Sequence, residues 1–343
     1  MKKLLLIGAC KDSVHVQNYH NLIKSYFDQI LIVTNTPIDF CEYKELDFSL
    51  KNPLKFYQNI KLMRKIMEDF QPSIVHVHQA NTYAYLAVLA NQSKFPTVLT
   101  VWGSDVLILP SQGVLYRHIV QYSLKKADFV TADASFMKDA INKLAEKEVT
   151  IANFGIDFES KEIPEKKNHI YSNRLHKPLY RIEEIIEGFA EFHKSNLDWK
   201  LIIGANGILT EKLKNLAAEL LPQNSYEFIG FVDKAENQKR FLESKIWISN
   251  PKSDGTAISL LEAMGFGCIP VVSCLPANKE WIINNENGLI IDNSISDSLS
   301  KAKDLSLEKV QQINRTIIET RATKAVNKEK FISLYKKILN LND

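Results

Sequence analysis

The sequence predicts an α/β protein of two doubly wound units, and three observations carry that prediction. Short apolar runs alternate with helix-period segments along the 343 residues. That order yields parallel sheets wrapped by helices. The alternation breaks once, over 157–168, where Glu and Lys crowd together with one Pro and apolar periodicity is lost. It then restarts, and a chain of this length holds two domains of ordinary size.

In the first half, 3–7 reads as a strand, followed by a turn over 8–13 and a helix to about Phe27. A strand over 30–34 comes next. Residues 53–70 are helical, with Phe56, Ile60, Met63, Met67 and Phe70 on one face. Strands at 73–77, 96–101, 128–131 and 149–151 alternate with helices at 81–89, 115–125 and 136–144. After the break, strands at 169–172, 199–203, 226–229, 246–249, 269–272 and 288–291 alternate with helices at 181–194, 210–220, 233–244 and 254–265. Helices fill most of 296–339. The domains are therefore 1–156 and 169–325, joined by the 157–168 linker.

Composition narrows the class. Hydrophobic content of 45% and charged content of 24% are those of a globular protein. A net charge of +3 argues against a dedicated nucleic-acid binder, as does the absence of a zinc-finger or RNA-binding signature. Cys10, Cys41, Cys268 and Cys274 form no Cys-x-x-Cys pair, which predicts free thiols and a reducing compartment. Met1-Lys2-Lys3 before Leu4-Leu5-Leu6-Ile7 resembles a leader, but Lys11-Asp12 ends the short apolar run, so it reads as a strand. No run approaches the length of a membrane span.

Polar clusters recur where strands end, the edge at which doubly wound sheets bind ligands. They include Cys10-Lys11-Asp12-Ser13-Val14-His15, His76-Val77-His78-Gln79, Trp102-Gly103-Ser104-Asp105 and Asn153-Phe154-Gly155 in the first half. The second half adds Ser172-Asn173-Arg174, Gly204-Ala205-Asn206-Gly207, Gly230-Phe231-Val232 and Ser253-Asp254-Gly255-Thr256. Such clusters on two sheets would line a cleft from both sides. Arg174 is the best anion-binding candidate, because a guanidinium there could meet a diphosphate bidentately. Lys177 is a second. His76 and His78 lie two apart and share a strand face, as a metal pair or as satisfied core histidines. His15 is a helix-start residue with or without a role. There is no Gly-x-Gly-x-x-Gly after the first strand, no Walker A sequence, no Gly-x-Ser-x-Gly and no Asp-x-Asp. Lys51, Lys55, Lys61, Arg64 and Lys65, with Phe56, Tyr57 and Met63 among them, read as a solvated basic helix face or as a contact for an anionic membrane.

The stretch from Asp254 to Gly265 is the most telling. It opens as a glycine-containing turn and continues as an apolar helix starting near Thr256. Ile258, Leu261, Glu262 and Gly265 share a face there, so Glu262 sits on an apolar stripe and needs partners. Asp254 stands at the helix mouth, where backbone N–H groups favour an anionic or polyhydroxyl ligand.

These residues resemble the family 4, or group 1, retaining glycosyltransferases of GT-B fold. Asp254 and Glu262 match the Glu-x7-Glu signature, and the likeness continues through Ala263-Met264-Gly265-Phe266-Gly267-Cys268-Ile269-Pro270-Val271-Val272, Glu280-Trp281-Ile282 and Asn287-Gly288-Leu289. The resemblance implies two Rossmann-like domains, an acceptor domain first and a nucleotide-sugar domain second, with a C-terminal helix at about 326–343 returning to the first. It gives Glu262 the donor ribose, Asp254 the transferred sugar and the turn Gly255, Thr256, Ala257, Ile258 the sugar and diphosphate. Arg174 resembles the arginine that neutralises the leaving diphosphate, and Gly230, Phe231 and Val232 fall where the nucleobase sits. Three departures mark a subgroup: Asp for the first Glu, Trp102 where many members carry His, and Asn173-Arg174-Leu175-His176-Lys177-Pro178 for the usual Gly-Arg…Lys-Gly. Either Lys177 or Arg181 then helps bind phosphate. Asp105 is the candidate for orienting the acceptor or the donor sugar.

The expected activity is transfer of a sugar from a nucleoside diphosphate to an acceptor hydroxyl, without a metal or other cofactor. The acceptor is a glycan or lipid-linked molecule in surface polysaccharide or glycolipid assembly. The place is the cytoplasm, with peripheral contact at the inner membrane face. A two-lobed nucleotide-sugar-binding protein without turnover, or a GT-B sugar-nucleotide epimerase, are the alternatives.

Overall fold

The computed structural model describes residues 1–8, 14–158 and 163–340. The chain forms two compact units, Met1–Phe154 with Lys324–Asp343, and Gly155–Thr323. The polar cluster at 10–13 and part of the Glu/Lys-rich break lie outside the described residues.

The described strands of the first unit are β1 (Lys3–Ile7), β2 (Gln29–Thr34), β3 (Tyr43–Glu45), β4 (Ile74–His78), β5 (Thr97–Val101), β6 (Phe129–Ala132) and β7 (Val149–Ile151). They pair in parallel in the order β3-β2-β1-β4-β5-β6-β7. In β1, side chains alternate between two cores, which is why the run Leu4-Leu5-Leu6-Ile7 is apolar throughout. Leu5 and Ile7 pack with Met63, Met67 and Leu86 on one face, and Leu4 and Leu6 pack with Val16, Tyr19 and Tyr335 on the other. The helix Lys324–Asn340 belongs to that second core through Phe331 and Tyr335. Asn327 Oδ1 accepts the Asn153 backbone N–H at 3.1 Å.

The second unit contains β8 (Lys167–Ser172), β9 (Lys200–Gly204), β10 (Tyr226–Gly230), β11 (Ser244–Ser249), β12 (Ile269–Ser273) and β13 (Leu289–Ile291), in the parallel order β10-β9-β8-β11-β12-β13. Its two cores again divide alternate residues of one strand. Ile246 and Ile248 face Ile185 and Phe189, while Trp247 faces Phe241 and Leu260. Both sheets are thus doubly wound, as the alternation predicts.

The sequence reading differs from the structure at particular places. β3 is an edge strand with no buried residue, so no apolar alternation announces it. β8 begins at Lys167, two residues before the apolar run, because Lys167 registers against Ser244 at the sheet's lower edge. The helical 296–339 stretch resolves into Ile295–Asp304, Leu307–Ile317, a π-turn at Ile318–Ala322 and Lys324–Asn340.

One close approach sets the packing of the second unit. The helix Ile182–His193 meets the helix Ile295–Asp304 at Gly188, where a Cβ would lie 2.5 Å from the Ile295 Cβ. Gly188→Ala is therefore expected to cost about 1–3 kcal/mol by overpacking. A lowered urea midpoint would register it, and an unchanged midpoint would count against this packing.

Candidate functional site

In the second unit the loops after β8 and β11 bring the expected site residues Arg174, Asp254 and Gly255 together. The Arg174 guanidinium donates from Nη2 to Asp254 Oδ2 at 2.6 Å and from Nη1 to Ser259 Oγ at 2.9 Å. Its carbon lies 4.5 Å from the centroid of the Tyr180 ring, a cation–π contact. Asp254 accepts the Gly255 backbone N–H on its other oxygen at 3.0 Å. The carboxylate therefore closes its own turn and fixes the cation at once. Both side chains are largely buried, 11% and 24% exposed, so the pair is held rather than frayed in solvent.

The local sequence explains this geometry. Lys177 is extended, as the residue before Pro178 must be. Pro178 opens a 3₁₀ turn, Pro178–Tyr180, that brings Tyr180 back to the guanidinium. Arg181 then takes a left-handed conformation, φ 49°, to start the next helix. Its guanidinium donates to Asn250 O and Oδ1, both at 2.8 Å, and to Pro251 O at 3.3 Å. Arg181 thus ties the β8 loop to the β11 loop and has little left for a phosphate. Lys177 is exposed and is the freer cation of the two. His176 donates from Nε2 to Gly204 O at 3.1 Å and bonds Thr210 Oγ1 through Nδ1 at 2.8 Å, which joins the β8 loop to the β9 loop.

The helix begins at Ile258 with Ala257 as its N-cap, later than the Thr256 start that the sequence suggests. Ala257 has no polar side chain to cap the helix; the Leu260 and Leu261 N–H groups return to Ala257 O, and those of Ile258 and Ser259 stand at the helix mouth. Ile258 is partly exposed, and Leu261 and Gly265 are buried. Glu262 is half-buried rather than sealed on an apolar stripe. Its charge is felt on two sides. Burial raises the Tyr171 pKa, and Glu262 adds to the rise. The Lys234 ammonium is held above its usual value first by its hydrogen bond to Asp157, with a further contribution from Glu262. Lys234 follows Gly230, Phe231 and Val232 closely. In that loop Gly230 sits at φ 67°, a conformation that favours glycine, and Phe231 is 69% exposed.

In the first unit Asp105 is held by loop backbone. The carboxylate is buried and accepts Ala80 N–H at 2.7 Å on one oxygen and Trp102 N–H at 3.0 Å on the other. Burial raises its pKa against those backbone bonds. Its contacts in the structure are with loop backbone, joining the ends of β4 and β5. Trp102 packs in an aromatic cluster, 4.9 Å from the His15 ring and 5.6 Å from His78. His76 and His78 do share a face, with ring centroids 5.0 Å apart, yet their surroundings differ. His76 bonds Thr100 Oγ1 and the Tyr335 hydroxyl, each at 2.6 Å. His78 is buried with neither ring nitrogen hydrogen-bonded, and its pKa is pushed down to about 3, by burial first and by His15 second.

Ser259, Tyr180 and His176 had no role in the sequence reading. Ser259 lies within the Asp254–Gly265 stretch and Tyr180 within an Arg-x-x-x-Pro-x-Tyr run, but only the folded loops show that both touch Arg174. Among the described residues, no group of His, Cys, Asp and Glu is arranged to hold a metal ion.

Comparison with known proteins adds independent findings. The family model described as glycosyl transferases group 1 matches residues 153–324, and the one described as glycosyl transferase 4-like matches 3–134. An uncharacterized glycosyltransferase of Methanocaldococcus jannaschii is 30% identical over 306 residues, 80% of this chain and 73% of that protein. The alpha-monoglucosyldiacylglycerol synthase of Streptococcus pneumoniae is 22% identical over 279 residues, 71% of this chain and 63% of that protein. Among solved structures, Anabaena Alr3699/HepE in complex with UDP superposes with a TM-score of 0.82 at 12% identity, covering 98% of this chain and 100% of that one.

Proposed function

The chain belongs to the glycosyl transferases group 1 family, and on that premise we propose that it is a retaining transferase working without a metal. It moves a sugar from a nucleoside diphosphate to an acceptor hydroxyl. The corner formed by Arg174, Asp254, Ser259 and the start of the helix Ile258–Gly265 carries this reading. As the sugar–phosphate bond breaks, negative charge grows on the diphosphate. A fixed guanidinium and outward N–H groups meet that charge without reorganising, which is where electrostatic catalysis gains most. Asp254 aims Arg174 and keeps lone pairs with which to accept from a sugar hydroxyl. Lys177 reaches the diphosphate from the loop edge. Glu262 accepts from the ribose, and Phe231 with Gly230 and Val232 receives the base. Asp105 holds the first unit's loop and borders the cavity beside it, from which it orients the acceptor or the donor sugar.

The acceptor is a glycan or lipid-linked molecule, a reading that the name of the streptococcal relative supports. The reaction belongs where nucleotide sugars are held, in the cytoplasm. Among the described residues no helix is long and apolar enough to cross a membrane, and contact with a membrane would be peripheral.

Thermal-shift titration with UDP, GDP, ADP, CDP and dTDP tests the donor reading. One nucleotide should stabilise the protein, and UDP is the first to try, given the ligand of the Anabaena neighbour. Glu262→Ala should weaken that nucleotide by about tenfold or more, since hydrogen bonds to a charged acceptor contribute about 1.5–3 kcal/mol each. An unchanged Kd would remove Glu262 from the ribose site, and no stabilisation by any of the five would sink the donor reading.

A further inference from the structure

The first unit holds a cavity of about 330 Å³ at the carboxyl ends of β4 and β5. Its walls differ in character. Gln79, Asn81, Ser104 and Asp105 make one side polar, and Ile108, Leu109, Tyr116 and Ile119 make the other apolar. Among the described residues no lysine or arginine lines it. The buried Asp105 is the one charged group in the described lining, so an anionic ligand would meet a carboxylate there without a compensating cation. A neutral, hydroxyl-rich group suits it better. Gln79 Oε1 already accepts from Asn81 Nδ2 at 3.0 Å. The amide N–H groups of Gln79 and the hydroxyl of Ser104 have no partner among the described residues, and both are suited to pairing with hydroxyls.

The apolar wall continues outward beyond the cavity. Val114 is 87% exposed and Leu115 60% exposed, and Leu107, Ile108 and Tyr116 are also exposed. Single exposed apolar side chains need no explanation, but a set confined to ten consecutive residues does. Leu115 stands one helical turn before Ile119 on the helix Val114–Lys126, so the lip extends the face that lines the cavity.

We propose that this cavity takes the neutral, hydroxyl-bearing head of an amphiphile whose hydrocarbon chain lies along the lip from Leu107 to Tyr116. The proposal rests on the sugar-transfer reading in one respect, that the amphiphile is the acceptor. A second copy of the chain would cover the lip and leave the polar wall unused. A phosphate-headed lipid would find no cation among the described residues of the wall.

The test titrates the full-length protein with methyl, hexyl and octyl glucoside below micelle-forming concentrations, reading tryptophan fluorescence. Affinity should rise with chain length, by at least about tenfold from methyl to octyl, as buried methylenes accumulate. Octyl phosphate should bind more weakly than octyl glucoside. The double variant Val114→Ser, Leu115→Ser should bring methyl and octyl to within about twofold of each other, since little methylene burial then remains. Leu115→Phe should keep the dependence, which separates lost apolar surface from misfolding. Equal affinities for all chain lengths, or a dependence that survives the double serine variant, would overturn the proposal. So would tighter binding of octyl phosphate, or a dimer that the serine variant dissolves without any chain-length effect. Nucleotide titration of the same samples separates the two readings. Nucleotide binding without a chain-length effect rejects the amphiphile alone. A chain-length effect without nucleotide binding leaves the amphiphile site and rejects its role as acceptor.

Discussion

Arg174→Ala is expected to lower turnover by about 10²–10³-fold, the usual effect of removing one preorganised donor to a developing negative charge. The side chain is fixed on three sides, by Asp254, Ser259 and the Tyr180 ring. Its orientation therefore needs no reordering when the diphosphate departs. Arg174→Lys should lose most of the same factor. A single ammonium cannot hold Asp254 and Ser259 in a fork while lying flat on Tyr180. Asp254→Asn keeps a hydrogen-bond acceptor for the guanidinium and should cost less than Arg174→Ala. Steady-state release of nucleoside diphosphate from the donor measures all three. Equal turnover in wild type and Arg174→Ala would remove the guanidinium from the chemistry.

Acidification is expected to destabilise the first unit through His78. The ring is buried with no hydrogen bond to either nitrogen, and its pKa falls from 6.5 to about 3. Above pH 6.5 the ring is neutral in both folded and unfolded chains, and its contribution is constant. Between about 6.5 and 3 the unfolded chain binds a proton that the folded one refuses. Stability then falls by about 1.4 kcal/mol per pH unit, or roughly 5 kcal/mol over the window. Burial lowers the His76 pKa too, so its effect has the same sign. Urea unfolding at pH 7, 5.5 and 4 should show the decline. His78→Leu should flatten it, because the replacement has no proton to gain. The same pH slope in wild type and His78→Leu would show that other groups cause the acid sensitivity.

The two sheets were legible because their strands bury both faces. Leu4 to Ile7 and Ile246 to Ile248 are apolar without interruption, and a strand that divides alternate residues between two cores must be. β3 was not legible, since an exposed edge strand of Tyr43–Glu45 places no constraint on side-chain polarity. The Asp254–Glu262 spacing predicts a turn leading into a helix, which the structure forms, but spacing alone could not fix burial. Glu262 lies half open although Leu261 and Gly265 beside it are buried. Asp105 shows another limit. A carboxylate after a strand suggests a ligand contact, but the sequence does not show that its oxygens also hold Ala80 and Trp102. No sequence pattern reports that the β4 and β5 ends lie close enough to share one side chain. Tyr180 and Ser259 depend likewise on long-range closure, through the Pro178 turn and the Arg181–Asn250 tie.

Calorimetric titration of wild type and Arg174→Ala with the stabilising nucleoside diphosphate and with its bare nucleoside tests the central claim most directly. The account predicts that the variant weakens the diphosphate by about tenfold or more, the loss of a charge-assisted contact, and leaves the nucleoside unchanged. Equal affinities of wild type and variant for the diphosphate, or an equal loss for diphosphate and nucleoside, would contradict a diphosphate site at Arg174.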